Sequence, residues 1–160
     1  MEGLFKFWDC IEYIFFKTFY RNNINNMEGM FHGCSSLKKL NLSNFNTNYL
    51  IDMGCMLYGC SSLRELNLPN FNTNYITNME YMFYRCLSLE KWNLPYFYTN
   101  NLYNMSMFFG SSSFQILYLP NFNTNNVSNM RSMFYGYSAN IKNNIRAQYK
   151  NIKEEAFHNY

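Results

Sequence analysis

The chain has 160 residues, of which 48% are hydrophobic, 21% are aromatic and only 14% are charged. This composition is too apolar for a disordered chain, and a formal net charge of +3 does not indicate a nucleic-acid-binding protein. The wholly apolar stretches are only a few residues long, so the sequence predicts no transmembrane segment.

The sequence repeats itself with a fixed period. Methionines 27, 53, 79 and 105 lie 26 residues apart (53 − 27, 79 − 53, 105 − 79), and Met130 follows 25 residues later (130 − 105). A period of about 20 to 50 residues is typical of arrays in which each unit buries its apolar face against its neighbours. We therefore predict a repeat solenoid. Its units are 1–26, 27–52, 53–78, 79–104 and 105–129, with a partial unit 130–139 and a C-terminal cap or tail at 140–160.

Residues 1–26 are interpreted as a degenerate first unit. The alternative is a separate amphipathic cap, because apolar residues in this segment also fall near helical spacing. A shift of 26 places Met1-Glu-Gly-Leu-Phe5 on Met27-Glu-Gly-Met-Phe31 and puts four further apolar residues on core positions: Ile11, Ile14, Phe16 and Phe19. End units of an array expose a core face. Two explanations of this aromatic unit stay open: the chain is part of a longer array, or its first unit pairs with another copy.

A Leu-x-x-Leu-x-Leu phrase predicts a short strand in each unit. In the second unit, alternation turns Leu40 and Leu42 inward and Lys39, Asn41 and Ser43 outward. Proline at the position of Ser43 in later units ends the strand, because proline lacks the donor that a ladder needs. Stacked units should form a narrow parallel sheet. The counterparts of Leu37, Leu40 and Leu42 are Leu63/Leu66/Leu68, Leu89/Trp92/Leu94 and Phe114/Leu117/Leu119.

A single helical turn is predicted on the other side of each unit. An Asn or Asp precedes each repeat methionine, where its side chain can cap free amides. A glycine follows five to seven residues later in four units, where a left-handed residue ends a helix. The set expected to point inward is Ile24, Met27, Met30, Phe31, Cys34, Leu37, Leu40, Leu42 and Phe45.

After about residue 140 the repeat pattern ends. Ile141, Ile145, Tyr149, Ile152 and Ala156 are spaced for one helical face, so residues 142–157 are predicted to form a C-terminal capping helix. The fold class is therefore α/β, leucine-rich-repeat-like, with strands on one face and loops with helical turns on the other.

The cysteines are predicted to be buried free thiols. Cys34, Cys60 and Cys86 recur at the 26-residue stride, and Cβ atoms about 5 Å apart suit packing better than a disulfide, which needs about 3.8 Å. A zinc site would need paired cysteines and nearby histidines. The paired methionines are interpreted as core. We therefore predict no metal and no cofactor.

The sequence offers no nucleophile with a base and an orienting group, so we predict that the protein is not an enzyme.

The candidate binding surface is the outer face of the strands. Its two columns are Tyr13, Lys39, Glu65, Lys91 and Ile116, and Phe15, Asn41, Asn67, Asn93 and Tyr118. Tyrosine and asparagine are common on recognition surfaces. The alternative for the asparagines is a purely structural ladder of amides along the sheet.

The phrase Asn-Met-x-x-Met-Phe-x-x-Cys-x-Ser-Leu-x-x-x-Asn-Leu-Pro, from Asn78 to Pro95, resembles the BspA-type leucine-rich-repeat family and its Mycoplasma surface-lipoprotein relatives. The resemblance implies a non-enzymatic cell-surface array that adheres to a host or matrix protein. The sequence itself predicts neither a secretion signal nor an anchor. The alternatives are a structural spacer, a fragment of a longer array, or an intracellular interaction scaffold.

Overall fold

A computed structural model describes residues 1–17, 23–69, 71–93, 98–110 and 122–159, with the backbone alone at 91–93. Within these ranges four strands form one parallel sheet in chain order: β1 (Tyr13–Ile14), β2 (Lys39–Asn41), β3 (Glu65–Asn67) and β4 (Lys91–Asn93). Leu40 lies opposite Leu66, and Leu66 lies opposite Trp92. The pairing register therefore equals the 26-residue repeat, and successive units lie side by side at the sheet.

A second set of backbone contacts joins the units on the side away from the strands. We call this part of each unit its turn segment, residues 27–33 in the second unit. Gly29 N donates to Gly54 O and Phe31 N donates to Met56 O, both at 2.9 Å. Isolated parallel bridges at Asn26, Asp52, Asn78, Asn104 and Asn129 continue the same stacking.

The turn segments differ from the predicted helical turn. The side-chain oxygen of Asn26 does accept from Glu28 N, at 2.6 Å, as capping requires. The left-handed φ of +74° at Gly33 is as predicted, but a left-handed φ of +57° at Gly29 already interrupts any helix. Alternate amides turn away from their own unit and donate to the next one. The structure therefore has successive tight turns here, because these amides serve the neighbouring unit.

The inward set predicted for the second unit, together with Ile24 just before it, is confirmed. All nine residues, from Ile24 to Phe45, are at most 3% exposed. Each large apolar side chain contributes about 1.5–3 kcal/mol on burial, so the stack of units is stabilised mainly by this core.

Buried threonines join the units beside the core. Thr47, Thr73, Thr99 and Thr124 are each at most 2% exposed. Thr73 Oγ1 accepts from Tyr98 N at 2.6 Å and donates to Tyr98 O at 2.9 Å. The hydroxyl thus satisfies both backbone groups of a residue in the next unit, which explains why threonine recurs in a buried position.

The predicted continuous helix at 142–157 is wrong in its bounds. In the described chain, α1 covers Ala139–Gln148 and a 3₁₀ helix covers Glu154–Phe157. Ser138 caps α1 by accepting from Ile141 N at 3.4 Å, so the helix begins earlier than predicted. It ends early because the backbone of 151–156 bonds to the preceding unit: Ser132 N donates to Glu155 O. We call residues 139–157 the C-terminal cap.

The first unit occupies the register that the alignment predicts. Tyr13 pairs with Lys39, and Gly3 N donates to Glu28 O at 2.8 Å. Its apolar residues are less buried than their counterparts, since only one neighbour covers them. Phe19, Phe114, Leu117 and Leu119 lie outside the described residues. Assignment of the whole chain to the leucine-rich-repeat solenoid class stays a prediction.

Candidate protein-binding face

The candidate binding residues are the outward positions of β1 to β4 and the residue after β1, which together we call the strand face. Among the described side chains of the strand face, the exposed large apolar ones are those of the first unit, where Tyr13 is 52% and Phe15 is 86% exposed. Their rings are nearly parallel, with centroids 6.4 Å apart and an interplanar angle of 13°. The two residues therefore form one aromatic patch at the edge of the sheet.

Ion pairs lie directly beside this aromatic patch. Lys39 Nζ lies 2.5 Å from Glu65 Oε2 across β2 and β3, and Lys38 Nζ lies 2.8 Å from Glu12 Oε2. The hydrogen bond that Lys38 donates to Glu12 raises the pKa of Lys38, and the negative charge of the Glu12 carboxylate adds to this effect. Both pairs are exposed to solvent, which screens the charges, so neither pair adds much to stability. They place alternating charge around the patch.

The asparagine column is an amide ladder in its described part. Asn67 Nδ2 donates to Asn41 Oδ1 at 3.4 Å, and the same oxygen accepts from Ser43 N at 2.9 Å. Asn41 is exposed and Asn67 is half-buried. These contacts favour the structural alternative for both side chains, although the exposed amide of Asn41 also faces solvent.

The structure describes the predicted binding residues of the fourth unit by their backbone alone. The backbones of Lys91 and Asn93 lie in β4, opposite Glu65 and Asn67 respectively. Ile116 and Tyr118 lie outside the described residues. The structure therefore brings together the first three units of both predicted columns and the backbone of the fourth.

Sequence reasoning missed a groove on the flank of the stack. It has a volume of about 680 Å³ and is lined by Asn48, Tyr49, Ile51, Asn72, Tyr75 and Thr77. Tyr49 is 63% and Tyr75 is 60% exposed. The recurrence of Asn-Tyr followed by Leu or Ile at the 26-residue stride (74 − 48) was a signal that could have found it.

The cysteines, all within the described chain, are free thiols. Cys34, Cys60 and Cys86 are buried as predicted, and each donates to a backbone oxygen of the preceding unit; for Cys34 this is Phe5 O, at 3.0 Å. Burial raises the pKa of Cys34 to about 11, which keeps the thiol protonated and unreactive. Cys55 is only half-buried and Cys10 is exposed, so the prediction of burial is wrong for these two.

The described residues include no cluster of three or more histidine, cysteine, aspartate or glutamate side chains arranged to hold a metal ion. No helix among them is long and apolar enough to cross a membrane.

The strands pair in parallel, equivalent residues of successive units lie side by side, and the units share one core. These features define the described chain as a tandem-repeat protein. More particularly, the chain belongs to the family described as Mycoplasma protein of unknown function, DUF285, whose model matches residues 1–115 and 66–156. The expected relation to a Mycoplasma repeat family is thereby confirmed, whereas the BspA-type assignment stays a prediction. No curated protein and no solved structure showed significant similarity to the chain.

Proposed function

We propose that the chain is a non-enzymatic, leucine-rich-repeat-like solenoid that binds a protein partner through its strand face. The proposed setting is adhesion at a cell surface, to a host or matrix protein. Parallel pairing at a constant 26-residue register supports the solenoid, because the same pairing repeated across the four units that contain β1 to β4 produces a continuous stack.

The exposure of Phe15 is the observation that carries the binding proposal. A phenylalanine that is 86% exposed and nearly parallel to Tyr13 leaves a contiguous apolar area in water. Exposed patches of this kind usually mark an interface when polar groups surround them. Aromatic residues are also enriched in the energetically dominant part of protein interfaces.

The surroundings of the patch favour a protein as the ligand. Lys38, Lys39 and Glu65 supply both signs of charge close to Tyr13, in the arrangement of an apolar centre with a polar rim. Three strands spaced by about 4.8 Å present a surface roughly 10 Å wide. Such a surface accepts a polypeptide segment or a loop lying across the strands.

The test measures attachment of the labelled full chain to cultured animal cells by flow cytometry. The double variant Tyr13→Ala, Phe15→Ala should bind at least tenfold more weakly than the unchanged chain. Removing surface proteins from the cells with trypsin beforehand should abolish the signal. The matched control is Tyr103→Ala, which removes a tyrosine that is 62% exposed but lies away from the strand face.

Two results would overturn the proposal. If the full chain does not attach to any cell type, adhesion is excluded and the structural-spacer alternative is preferred. If the double variant and Tyr103→Ala bind as well as the unchanged chain, the binding surface lies elsewhere, and the flank groove is the next surface to test. Circular dichroism of each variant shows whether the fold is retained.

A further inference from the structure

The hydrogen bonds between turn segments all run in one direction. In the described chain, each backbone bond between turn segments donates from a unit to the following one. Gly3, Phe5 and Phe7 of the first unit donate to the carbonyls of Glu28, Met30 and His32 at 2.7–2.8 Å. Other backbone bonds between units run the opposite way, such as Ile51 N to Asn25 O, but in the turn segments this polarity leaves an acceptor edge at the first unit and a donor edge at the last.

The acceptor edge is formed by three carbonyls of the first unit. Glu2, Leu4 and Lys6 are the counterparts of Glu28, Met30 and His32, and none of their carbonyls accepts a hydrogen bond from a described residue. The apolar side chains beside them are also uncovered. Leu4 is 51% and Trp8 is 49% exposed, whereas their counterparts Met30 and Cys34 are fully buried.

The donor edge is closed by the C-terminal cap. Ser132 N donates to Glu155 O and Phe134 N donates to Ala156 O, both at 3.0 Å. The Phe157 ring stacks on the Phe134 ring with centroids 5.3 Å apart, as the rings of Phe109 and Phe134 do at 5.8 Å. Thr124 also donates to the cap, at Asn151 O. The cap thus reproduces the contacts that a further unit makes.

Helix α1 holds the 3₁₀ helix of the cap, residues 154–157, in place. Lys142 Nζ donates to Phe157 O at 2.8 Å, and the Arg146 guanidinium lies 4.0 Å from the centre of the Phe157 ring. Arg146 is also paired with Glu154 at 3.0 Å. Because these contacts join α1 to the 3₁₀ helix, the two parts of the cap are expected to leave the donor edge together.

We infer that the C-terminal cap competes with a second copy of the chain, whose acceptor edge fits the donor edge when the cap is released. The repeat alignment brings Met130 beside Met1, Met133 beside Leu4 and Phe134 beside Phe5 of the second copy. It also brings Arg131 beside Glu2, which is a pair of opposite charges. The Phe5 position continues the pattern within the array, where the Phe5 and Phe31 rings stack with centroids 5.3 Å apart.

The direction of the hydrogen bonds also determines the geometry of assembly. Two acceptor edges facing each other offer no donors in their turn segments, so a symmetric pair joined through these segments gains no backbone bonds there. Head-to-tail contact joins donors to acceptors, and repetition of such a contact produces an open chain of molecules. The cap therefore limits assembly by occupying one of the two complementary edges.

The test uses the 160-residue chain with the substitution Phe157→Asp, studied by analytical ultracentrifugation over a hundredfold range of protein concentration. Phe157 is 4% exposed, so the new carboxylate is placed against the last unit and the cap is expected to detach. The variant should form a concentration-dependent series of species at multiples of 19.3 kDa. The unchanged chain should remain monomeric over the same range.

Adding Leu4→Asp to the Phe157→Asp chain is the matched control, because it places a charge on the acceptor edge at a position that is already half exposed. It should return the chain to a monomer. Oligomers that persist with Leu4→Asp, or a folded Phe157→Asp chain that stays monomeric, would overturn the inference.

If Phe157→Asp unfolds the whole chain, the milder variant Lys142→Ala decides the question. It removes the hydrogen bonds from Lys142 Nζ to Phe157 O and to Asn159 Oδ1 and leaves the last unit unchanged. Association that increases with this variant and disappears with Leu4→Asp supports the inference. A Lys142→Ala chain whose cap exchanges amide protons faster, but which does not associate, contradicts it.

Discussion

The first and second units place the same kinds of side chain at the same positions, yet only one of them has a complete core. Met30 and Phe31 are fully buried, whereas their counterparts Leu4 and Phe5 are exposed and half-buried. The backbone conformation is shared, with φ of +57° at both Gly3 and Gly29. The local sequence therefore determines the shape of a unit, and the neighbours on both sides determine how much its residues contribute to stability.

The largest expected effect comes from a charge in an interior strand. Leu66 is 2% exposed and lies between Leu40 and Trp92 in the sheet. Leu66→Asp removes apolar burial and places an unpaired carboxylate between two strands, so we expect the free energy of unfolding to fall by about 4 kcal/mol or more. Urea denaturation followed by circular dichroism measures this change, with an unfolded variant as the extreme result.

Ile14→Asp is the matching change in the first unit. Ile14 is half-buried in β1 and has a described strand partner on one side, at Leu40. Its carboxylate can reach water, so the expected loss is about 1–2 kcal/mol. Equal losses for Leu66→Asp and Ile14→Asp would show that the first unit is covered on both sides, which contradicts the comparison.

Truncation of equivalent core side chains tests the same difference in the turn segments. Met30→Ala should reduce the free energy of unfolding by about 2–5 kcal/mol, because it leaves a cavity in a fully packed core. Leu4→Ala should cost less than about 1 kcal/mol, since half of the side chain is already in water. Urea denaturation of the two variants gives the comparison, and a Leu4→Ala loss as large as that of Met30→Ala would contradict it.

The sequence was sufficient to predict the features that depend on periodicity. The stride of 26 determined the register of Leu40 with Leu66, and alternation determined which strand residues point inward. The conformation of the turn segments was not predictable in this way. Cys55 and Tyr81 both have φ of +53° where Gly29 has +57°, so residue type did not reveal the left-handed position.

The candidate site was predictable in outline and not in its contacts. The outward columns follow from the strand pattern, but the exposure of Phe15 depends on which units cover it. The end of the cap illustrates the same limit. Helical spacing extended the predicted helix to residue 157, whereas the backbone of Glu155 and Ala156 bonds to the last unit instead. Such choices depend on neighbours in space that periodicity does not encode.

The smallest expected effect concerns the thiols of the same two units. Cys10 in the first unit is exposed, and its thiol donates to Asp9 Oδ1 at 3.3 Å. This hydrogen bond and the charge of Asp9 raise the pKa of Cys10, so less thiolate is present at pH 8 than in an ordinary exposed cysteine. Asp9→Asn should lower that pKa and speed alkylation of Cys10 by iodoacetamide about two- to fivefold, as measured by mass spectrometry.

Cys34 in the second unit provides the internal comparison within each sample. Its thiol is fully buried and its pKa is raised to about 11, so alkylation at pH 8 requires opening of the stack. Asp9→Asn should leave the Cys34 rate unchanged, and urea should increase it to the rate of an unfolded chain. If Cys34 reacts as fast as Cys10 in the native protein, the second unit is not covered by the first. The first unit would then be detached from the stack in solution, and the acceptor edge would belong to Glu28 and Met30 instead of Glu2 and Leu4.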